Sequence, residues 1–243
     1  MRMTEAITSK TYDLWSLFYD HTFGALVRNR QVRAVEQLPL RPGDRVLDIG
    51  VGTGMTLGHY PRNVTVVGMD LSAGMLGKAA AKCKELGLDH CKLVRADAML
   101  PPFAPASFDH ILICHTITVV SDPARLLAWA SKLLKPGGHI VILNHFQSSQ
   151  PVVAWFEKYL NPVFVKIGWR SDLSLEELMG EGDLHLEYSF KLRPVDLWRI
   201  VVLRHKDARP LPRYMAAPAM ATDAARLGKG RIASPAGSGV NLQ

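Results

Sequence analysis

The stretch Val46-Leu-Asp-Ile-Gly-Val-Gly-Thr-Gly54 decides how the rest of the chain is read. An apolar run, broken by one carboxylate at Asp48, leads into glycines at 50, 52 and 54. Such a run reads as a buried strand that turns sharply into a helix. Glycines at the turn permit positive φ and let a ligand come close to the backbone. The spacing is GxGxG, not the GxGxxG of dinucleotide binders. Outward from this loop the same alternation repeats. Further β-type runs are predicted at Val64–Met69, Lys92–Arg95, Phe108–Cys114 and His139–Asn144, after a first at Arg45–Ile49. Helical stretches are predicted near Gly54–Tyr60, Ala73–Leu86 and Pro123–Leu134. Apolar strands alternating with helices predict a parallel sheet covered on both faces, an α/β fold.

Acidic residues recur where these strands end. Asp48 lies just before the first glycine, Asp70 ends the second strand, and Asp97 follows the third in Arg-Ala-Asp97-Ala-Met. A carboxylate at Asp70 can accept both hydroxyls of a ribose, and one at Asp97 can accept from an adenine amino group. The strand C-termini of an open α/β sheet are where ligands bind. Each carboxylate also has an ordinary reading as a surface Asp. Lys135-Pro-Gly-Gly138 predicts a tight turn feeding the fifth strand.

The flanks read differently. Residues 5–38 are expected to be helical, with Trp15, Phe18, Tyr19, Phe23 and Leu26 at three- and four-residue steps and Arg28, Arg30 and Arg33 after them. This stripe either packs on the sheet or forms a lid that touches a membrane. Pro39 and Pro42-Gly43 close it. After Asn144 the alternation lapses into an aromatic-rich segment, Pro151–Ile167. Ser174-Leu-Glu-Glu177 has a capping-box pattern that starts a short helix. His185–Leu192 and Leu197–Arg204 predict a closing antiparallel strand pair. From Ala208 the chain turns to Pro, Ala and Gly, and disorder is expected. Three regions follow: 1–43 as a helical lid or membrane-contact segment, 44–204 as the core, and 205–243 as a basic tail.

Composition excludes several classes. Of 243 residues, 48% are hydrophobic and 21% charged, which excludes a disordered or collagen-like chain. The longest nearly uncharged apolar run, 111–120, is far short of the ~20 residues of a spanning helix. The N-terminus lacks the apolar stretch of a secretory signal. Cys83, Cys91 and Cys114 are odd in number and form no CxxC, so neither a disulfide framework, a zinc site nor any other metal is expected. A cytoplasmic location is the default, and a monomer is expected. There are 29 basic and 22 acidic side chains, a net +7, and the excess lies after residue 190. A basic end on a neutral body points to a polyanionic surface, or to a solvated tail.

With the loop, Asp70, Asp97 and the Lys-Pro-Gly-Gly turn in place, residues 40–204 resemble the class I S-adenosylmethionine-dependent methyltransferases. The resemblance implies a Rossmann-like, seven-stranded, mostly parallel sheet whose last strand is antiparallel. It implies S-adenosylmethionine as cofactor, with Gly50 and Gly52 making room for its amino-acid portion, Gly54 in the same cofactor-binding set, and Asp48 supporting the loop. Asp70 with Leu71 would hold the ribose, and Asp97, Ala98 and Met99 would frame the adenine. Tyr12, Tyr19, Met75 and His115 complete the implied cofactor set.

The flanks narrow the substrate. Tyr12-Asp-Leu-Trp-Ser-Leu-Phe-Tyr-Asp20, Ile167-Gly-Trp-Arg-Ser-Asp-Leu-Ser-Leu-Glu-Glu177 and Leu197-Trp-Arg-Ile200 resemble the soluble bacterial phospholipid N-methyltransferases. That resemblance implies stepwise methylation of phosphatidylethanolamine towards phosphatidylcholine, at the surface of the cytoplasmic membrane, with a phospholipid headgroup and anionic lipid as partners. An amphipathic helix ending in arginines suits that interface. The quinone C-methyltransferases share the Tyr-Asp opening and are the alternative. Attack on a sulfonium methyl needs an uncharged amine, hence a base or water relay. His115 and His145, just past the fourth and fifth strands, stand at the correct edge, or are merely hydrogen-bonded there. Tyr19 can stack on a methylammonium or direct the amine. Lys166, Trp169 and Arg170 are candidates for the lipid phosphate and its surroundings, with His145 and Tyr19 completing the substrate set. A nucleic-acid substrate is not expected, because Cys114-His-Thr-Ile117 replaces any Asn-Pro-Pro-Tyr-type motif.

Overall fold

The computed structural model describes residues 25–146, 173–179, 183–193 and 196–208. Seven strands form one sheet: β1 (Arg45–Ile49), β2 (Thr65–Asp70), β3 (Cys91–Arg95), β4 (Phe108–Cys114), β5 (Leu134–His145), β6 (Leu184–Phe190) and β7 (Trp198–His205). Their order is β3-β2-β1-β4-β5-β7-β6. The pairings from β3 to β5 are parallel, whereas β7 runs antiparallel to both of its neighbours. The order reverses between β1 and the neighbouring β4, so a crevice opens beyond their C-terminal ends.

The helices α1 (Ala25–Val35), α2 (Ala73–Glu85), α3 (Pro123–Leu133) and α4 (Leu175–Met179) cover the sheet. Side chains alternate between its faces with the two-residue period of a strand. Leu47, Ile49, Val67, Met69, Ile111 and Ile113 pack with Leu126, Leu127, Ala130 and Leu133 of α3 and with Leu175 and Leu178 of α4. Val46, Val66, Leu112, Val141 and Leu143 pack on the other side with Val27, Ala34 and Val35 of α1 and Ala79 of α2. Strands with apolar residues on both faces are the mark of a covered parallel sheet. Local signals set the ends: Ser72 caps α2 by accepting from the Met75 amide, and Asp122 caps α3 by accepting from the Arg125 amide.

Three expectations are corrected. The helix predicted at Gly54–Tyr60 is only a single 3-10 turn, Leu57–His59. Gly54 at φ +76° and Pro61 leave no room for a longer one. The Lys135-Pro-Gly-Gly138 turn is not a separate connection but a bulge inside β5, where the register with β4 shifts between Phe108 and His110. Gly138 is required there, because a Cβ would meet the Asp109 carbonyl at 2.5 Å. Order also persists past residue 205: Ala208 is buried, and the Lys206 amide donates to the Asp183 carbonyl.

The stripe expected over 5–38 is divided. From residue 25 it is a helix whose Val27, Ala34 and Val35 are core, so this part packs on the sheet. Residues 5–24, with Tyr12, Trp15, Phe18, Tyr19 and Phe23, lie outside the described residues, as do Lys166, Trp169, Arg170 and the tail from 209.

Candidate active site

The glycine loop is built from the end of β1 against the end of β2. The Gly50 and Val51 amides donate to the Met69 carbonyl at 2.7 and 3.0 Å. The Gly52 amide donates to Asp70 Oδ2, and the Ser72 amide to Asp70 Oδ1, both at 2.9 Å. Asp70 is therefore aimed by two backbone donors from the segments on either side of it. A carboxylate offers about four acceptor positions, so this orientation is compatible with receiving the hydroxyls of a ribose. Leu71 follows, half-buried, with its carbonyl accepting from Arg95 Nε at 3.1 Å. Met75 is buried in the first turn of α2.

The three glycines do different things. A Cβ on Gly50 would lie 1.9 Å from Thr116 Oγ1, so this glycine makes room for a side chain of the protein itself. A Cβ on Gly54 would press on Leu57 and Ala79, where α2 crosses the loop. Only Gly52, at φ +55°, faces open space, with the Gly50 carbonyl 4.0 Å away. The cradle for a ligand is thus at Gly52.

Asp48 lies beneath the loop. Its Oδ2 accepts from Thr56 Oγ1 at 2.6 Å and Tyr60 OH at 3.0 Å. Burial lifts this carboxyl to about 6, against the two hydroxyl donors that favour its ionised form. Asp48 thereby ties β1 to the turn that follows the loop. At the end of β3, Asp97 Oδ1 accepts from the Met99 amide at 2.7 Å, which orients a half-buried carboxylate. Ala98 is half-buried beside it, while the Met99 side chain is packed among core residues.

Past β4 the chain turns at His115, a non-glycine residue with φ +57°. Its amide donates to the Leu143 carbonyl at 2.8 Å. Burial and the Arg30 guanidinium push its imidazole down to about 3, so it stays neutral. Its ring meets Trp198 edge-to-face at 6.2 Å. His145, at the end of β5, is buried, with Nδ1 2.8 Å from the Leu197 carbonyl. A carbonyl only accepts, so Nδ1 carries the hydrogen and the basic lone pair of the neutral ring lies on Nε2.

The structure thus brings Gly52, Asp70, Asp97, His115 and His145 to the C-terminal edge of the parallel strands and sets Asp48 under it. The sequence reading missed Thr116, Thr56 and Tyr60, which brace the loop, and Asn144 and Thr118, buried and bonded to each other at 2.8 Å. A polar residue closing the apolar run Ile140–Leu143 was the available signal for Asn144. Among the described residues, no group of three or more His, Cys, Asp or Glu is placed to hold a metal ion.

An open cradle at Gly52, an aimed carboxylate at Asp70 and a second at Asp97 fit a ligand with an amino-acid part, a ribose and an adenine. Comparison with known proteins agrees. Residues 47–142 match the family model described as a methyltransferase domain. The chain is 32% identical over 191 residues to the phosphatidylethanolamine N-methyltransferase of Cereibacter sphaeroides, covering 78% of this chain and 93% of that one. It is 32% identical over 141 residues to the demethylmenaquinone methyltransferase of Bacillus cytotoxicus, covering 54% of this chain and 58% of that one. Two solved structures share the fold. YcgJ of Bacillus subtilis has a TM-score of 0.63 at 20% identity, covering 72% of this chain and 97% of that one. The geranyl diphosphate C-methyltransferase of Streptomyces coelicolor has a TM-score of 0.62 at 17% identity, covering 73% and 75%.

Proposed function

The chain belongs to the class I S-adenosylmethionine-dependent methyltransferases, and from that premise we propose that its acceptor is the amine of phosphatidylethanolamine and of its mono- and dimethyl products. One observation carries this reading. The likeness to the phosphatidylethanolamine enzyme runs over 93% of that protein, whereas the equal identity to the menaquinone enzyme stops at 58%. The longer match takes in chain beyond the cofactor core, where substrate is selected.

When bound, S-adenosylmethionine supplies an electrophilic methyl group on a sulfonium sulfur. Gly52, Asp70 and Asp97 would hold it. The remaining task for the protein is to present an uncharged amine. An ammonium headgroup must lose a proton before each transfer, and a fixed base within reach speeds that loss. We assign this role to His145, whose Nδ1–H is anchored on the Leu197 carbonyl and whose Nε2, buried at the end of β5, carries the lone pair of the neutral ring. His115, held near 3, is too weak a base at neutral pH and serves as a neutral wall or hydrogen-bonding group. Tyr19 would stack on the methylated amine, and Lys166 and Arg170, beside Trp169, would take the lipid phosphate.

We place the enzyme at the membrane surface rather than through it. No helix of the described residues is long and apolar enough to cross a membrane. Leu100 and Leu197, 67% and 54% exposed, stand beyond the ends of β3 and β5, where apolar side chains favour a lipid face.

The test is transfer of a radiolabelled methyl group to phosphatidylethanolamine vesicles, to demethylmenaquinone and to bulk RNA. Label in mono-, di- or trimethylated phospholipid is expected. Label only in the quinone or the RNA would overturn the acceptor and leave the family standing. Asp70→Ala is the cofactor control, with an expected loss of S-adenosylmethionine affinity in calorimetry. His145→Gln is expected to lower kcat about 100-fold near neutral pH, with recovery as the pH rises, because solution then supplies the free amine. His115→Gln is expected to leave the shape of the pH–rate profile unchanged.

A further inference from the structure

We propose that Arg30 is a positioning residue for methyl transfer, clamping the tripeptide Asp196-Leu197-Trp198 so that it holds both His115 and His145 at the reacting edge. The inference rests on the reading of that edge as the methyl-transfer site.

Each residue of the tripeptide has a separate partner. Asp196 takes Arg30: the Arg30 Nε lies 3.0 Å from both carboxylate oxygens, and the Asp196 side chain is only 1% exposed. The Leu197 carbonyl takes His145 Nδ1 at 2.8 Å. The Trp198 ring takes His115, perpendicular to it at 6.2 Å. The clamp is closed twice more. Asp196 Oδ1 accepts from the Trp198 amide at 3.1 Å, and the Arg30 guanidinium lies over the Trp198 ring, 4.7 Å from its centre. One side chain of α1 therefore grips both ends of the segment that enters β7.

Such a clamp has a chemical reason. His115 sits at φ +57°, a conformation that non-glycine residues hold only when the surroundings impose it, and such residues concentrate at functional sites. The Trp198 ring and the Leu143 carbonyl both hold His115 here. The tautomer of His145 depends on the placement of the Leu197 carbonyl. A small displacement of reacting groups costs rate out of proportion to binding. Arginine is required because its planar guanidinium can pair with a carboxylate and lie on an aromatic face at once, which an ammonium cannot do.

The test uses Arg30→Lys, which keeps a charge for the buried Asp196, and Trp198→Phe, which keeps an aromatic face for Arg30. Three quantities are read: kcat and KM with whichever acceptor the wild-type protein methylates, S-adenosylmethionine affinity by calorimetry, and the imidazole NMR resonances without acceptor. Arg30→Lys is expected to lower kcat about 10- to 100-fold, leave cofactor affinity within about twofold, and shift the resonances of both histidines. Trp198→Phe is expected to shift His115 and leave His145 in place. Unmoved imidazole resonances in a folded Arg30→Lys protein would overturn the proposal, whatever the rate. An equal loss of cofactor affinity and kcat would also overturn it, in favour of a general loss of structure. If Arg30→Lys does not fold, Trp198→Phe decides: an unmoved His115 rejects the clamp. Failure of the wild-type protein to methylate phospholipid would be a separate result, because the NMR readout needs no acceptor.

Discussion

Gly50 and Gly52 stand two residues apart and are glycine for different reasons. Gly50 yields its space to Thr116, whose Oγ1 also donates to the carbonyls of Ile49 and Cys114. Gly52 yields its space to nothing in the protein. Gly50→Ala is therefore expected to cost about 2–4 kcal/mol in denaturant unfolding, from overpacking plus positive-φ strain. Gly52→Ala is expected to cost only the strain, about 1–2 kcal/mol, and to weaken cofactor binding. Thr116→Ala should recover part of the Gly50→Ala loss and none of the Gly52→Ala loss. Equal losses at the two positions would remove the Thr116 account. The GxGxG spacing was legible in the sequence, but this division of labour was not, because Thr116 comes from another strand's end. The same holds for the three aspartates. Their positions at strand ends could be read directly, yet Asp48 is turned under the loop by Thr56 and Tyr60 while Asp70 is turned outward by two amides.

The strands were legible to within one or two residues for β1, β2, β3 and β4, since each is a short apolar run bounded by polar or turn-forming residues. The helix after the glycine loop was not, because the loop's own glycines and Pro61 prevail over the strand-helix alternation. α1 packs on the sheet by burial, whereas Trp15, Phe18, Tyr19 and Phe23, for which sequence left two readings open, lie outside the described residues. Val27, Val35 and Leu38 are core, and each large apolar side chain contributes about 1.5–3 kcal/mol. Together they supply roughly 5–9 kcal/mol, comparable with the whole stability of a domain, about 5–15 kcal/mol. Removal of residues 1–43 is therefore expected to abolish cooperative unfolding. Removal of residues 1–24 is expected to leave a folded protein that has lost vesicle binding, measured by thermal melts and flotation. Full vesicle binding by the shorter deletion would move the membrane contact to the rim around Leu100 and Leu197.

For the molecule as a whole, the two ends of the sheet differ in chemistry. The C-terminal edge carries the candidate site. Towards the other end, His110 and His139 lie 5.7 Å apart on one face, with Asp44 3.3 Å from His110 and Arg204 across from His139 on β7. Burial, the neighbouring His110 and Arg204 push His139 down to about 4, and burial also lowers His110. The unfolded chain takes up these protons first as pH falls below about 6.5, so the stability they support is complete above that value and is lost towards pH 4. Asp48, raised to about 6, acts in the opposite sense, gaining its proton first in the folded state. His110, His115 and His139 outnumber it. The urea midpoint is expected to be lower at pH 5 than at pH 7, with His139 alone worth about 2 kcal/mol of the difference. His139→Gln should flatten the dependence; an unchanged slope would place the sensitivity elsewhere. Within the chain, the α/β alternation, the cofactor loop and the carboxylates at strand ends were determined by sequence alone. Each rests on local periodicity and on residue types that a backbone conformation or a ligand requires. The contacts of Arg30 with Asp196 and Trp198, the anchoring of His145 on the Leu197 carbonyl, and the buried histidine pair were decided by tertiary structure. Each joins groups from distant segments, and their charge states depend on burial and on neighbours that no local pattern encodes.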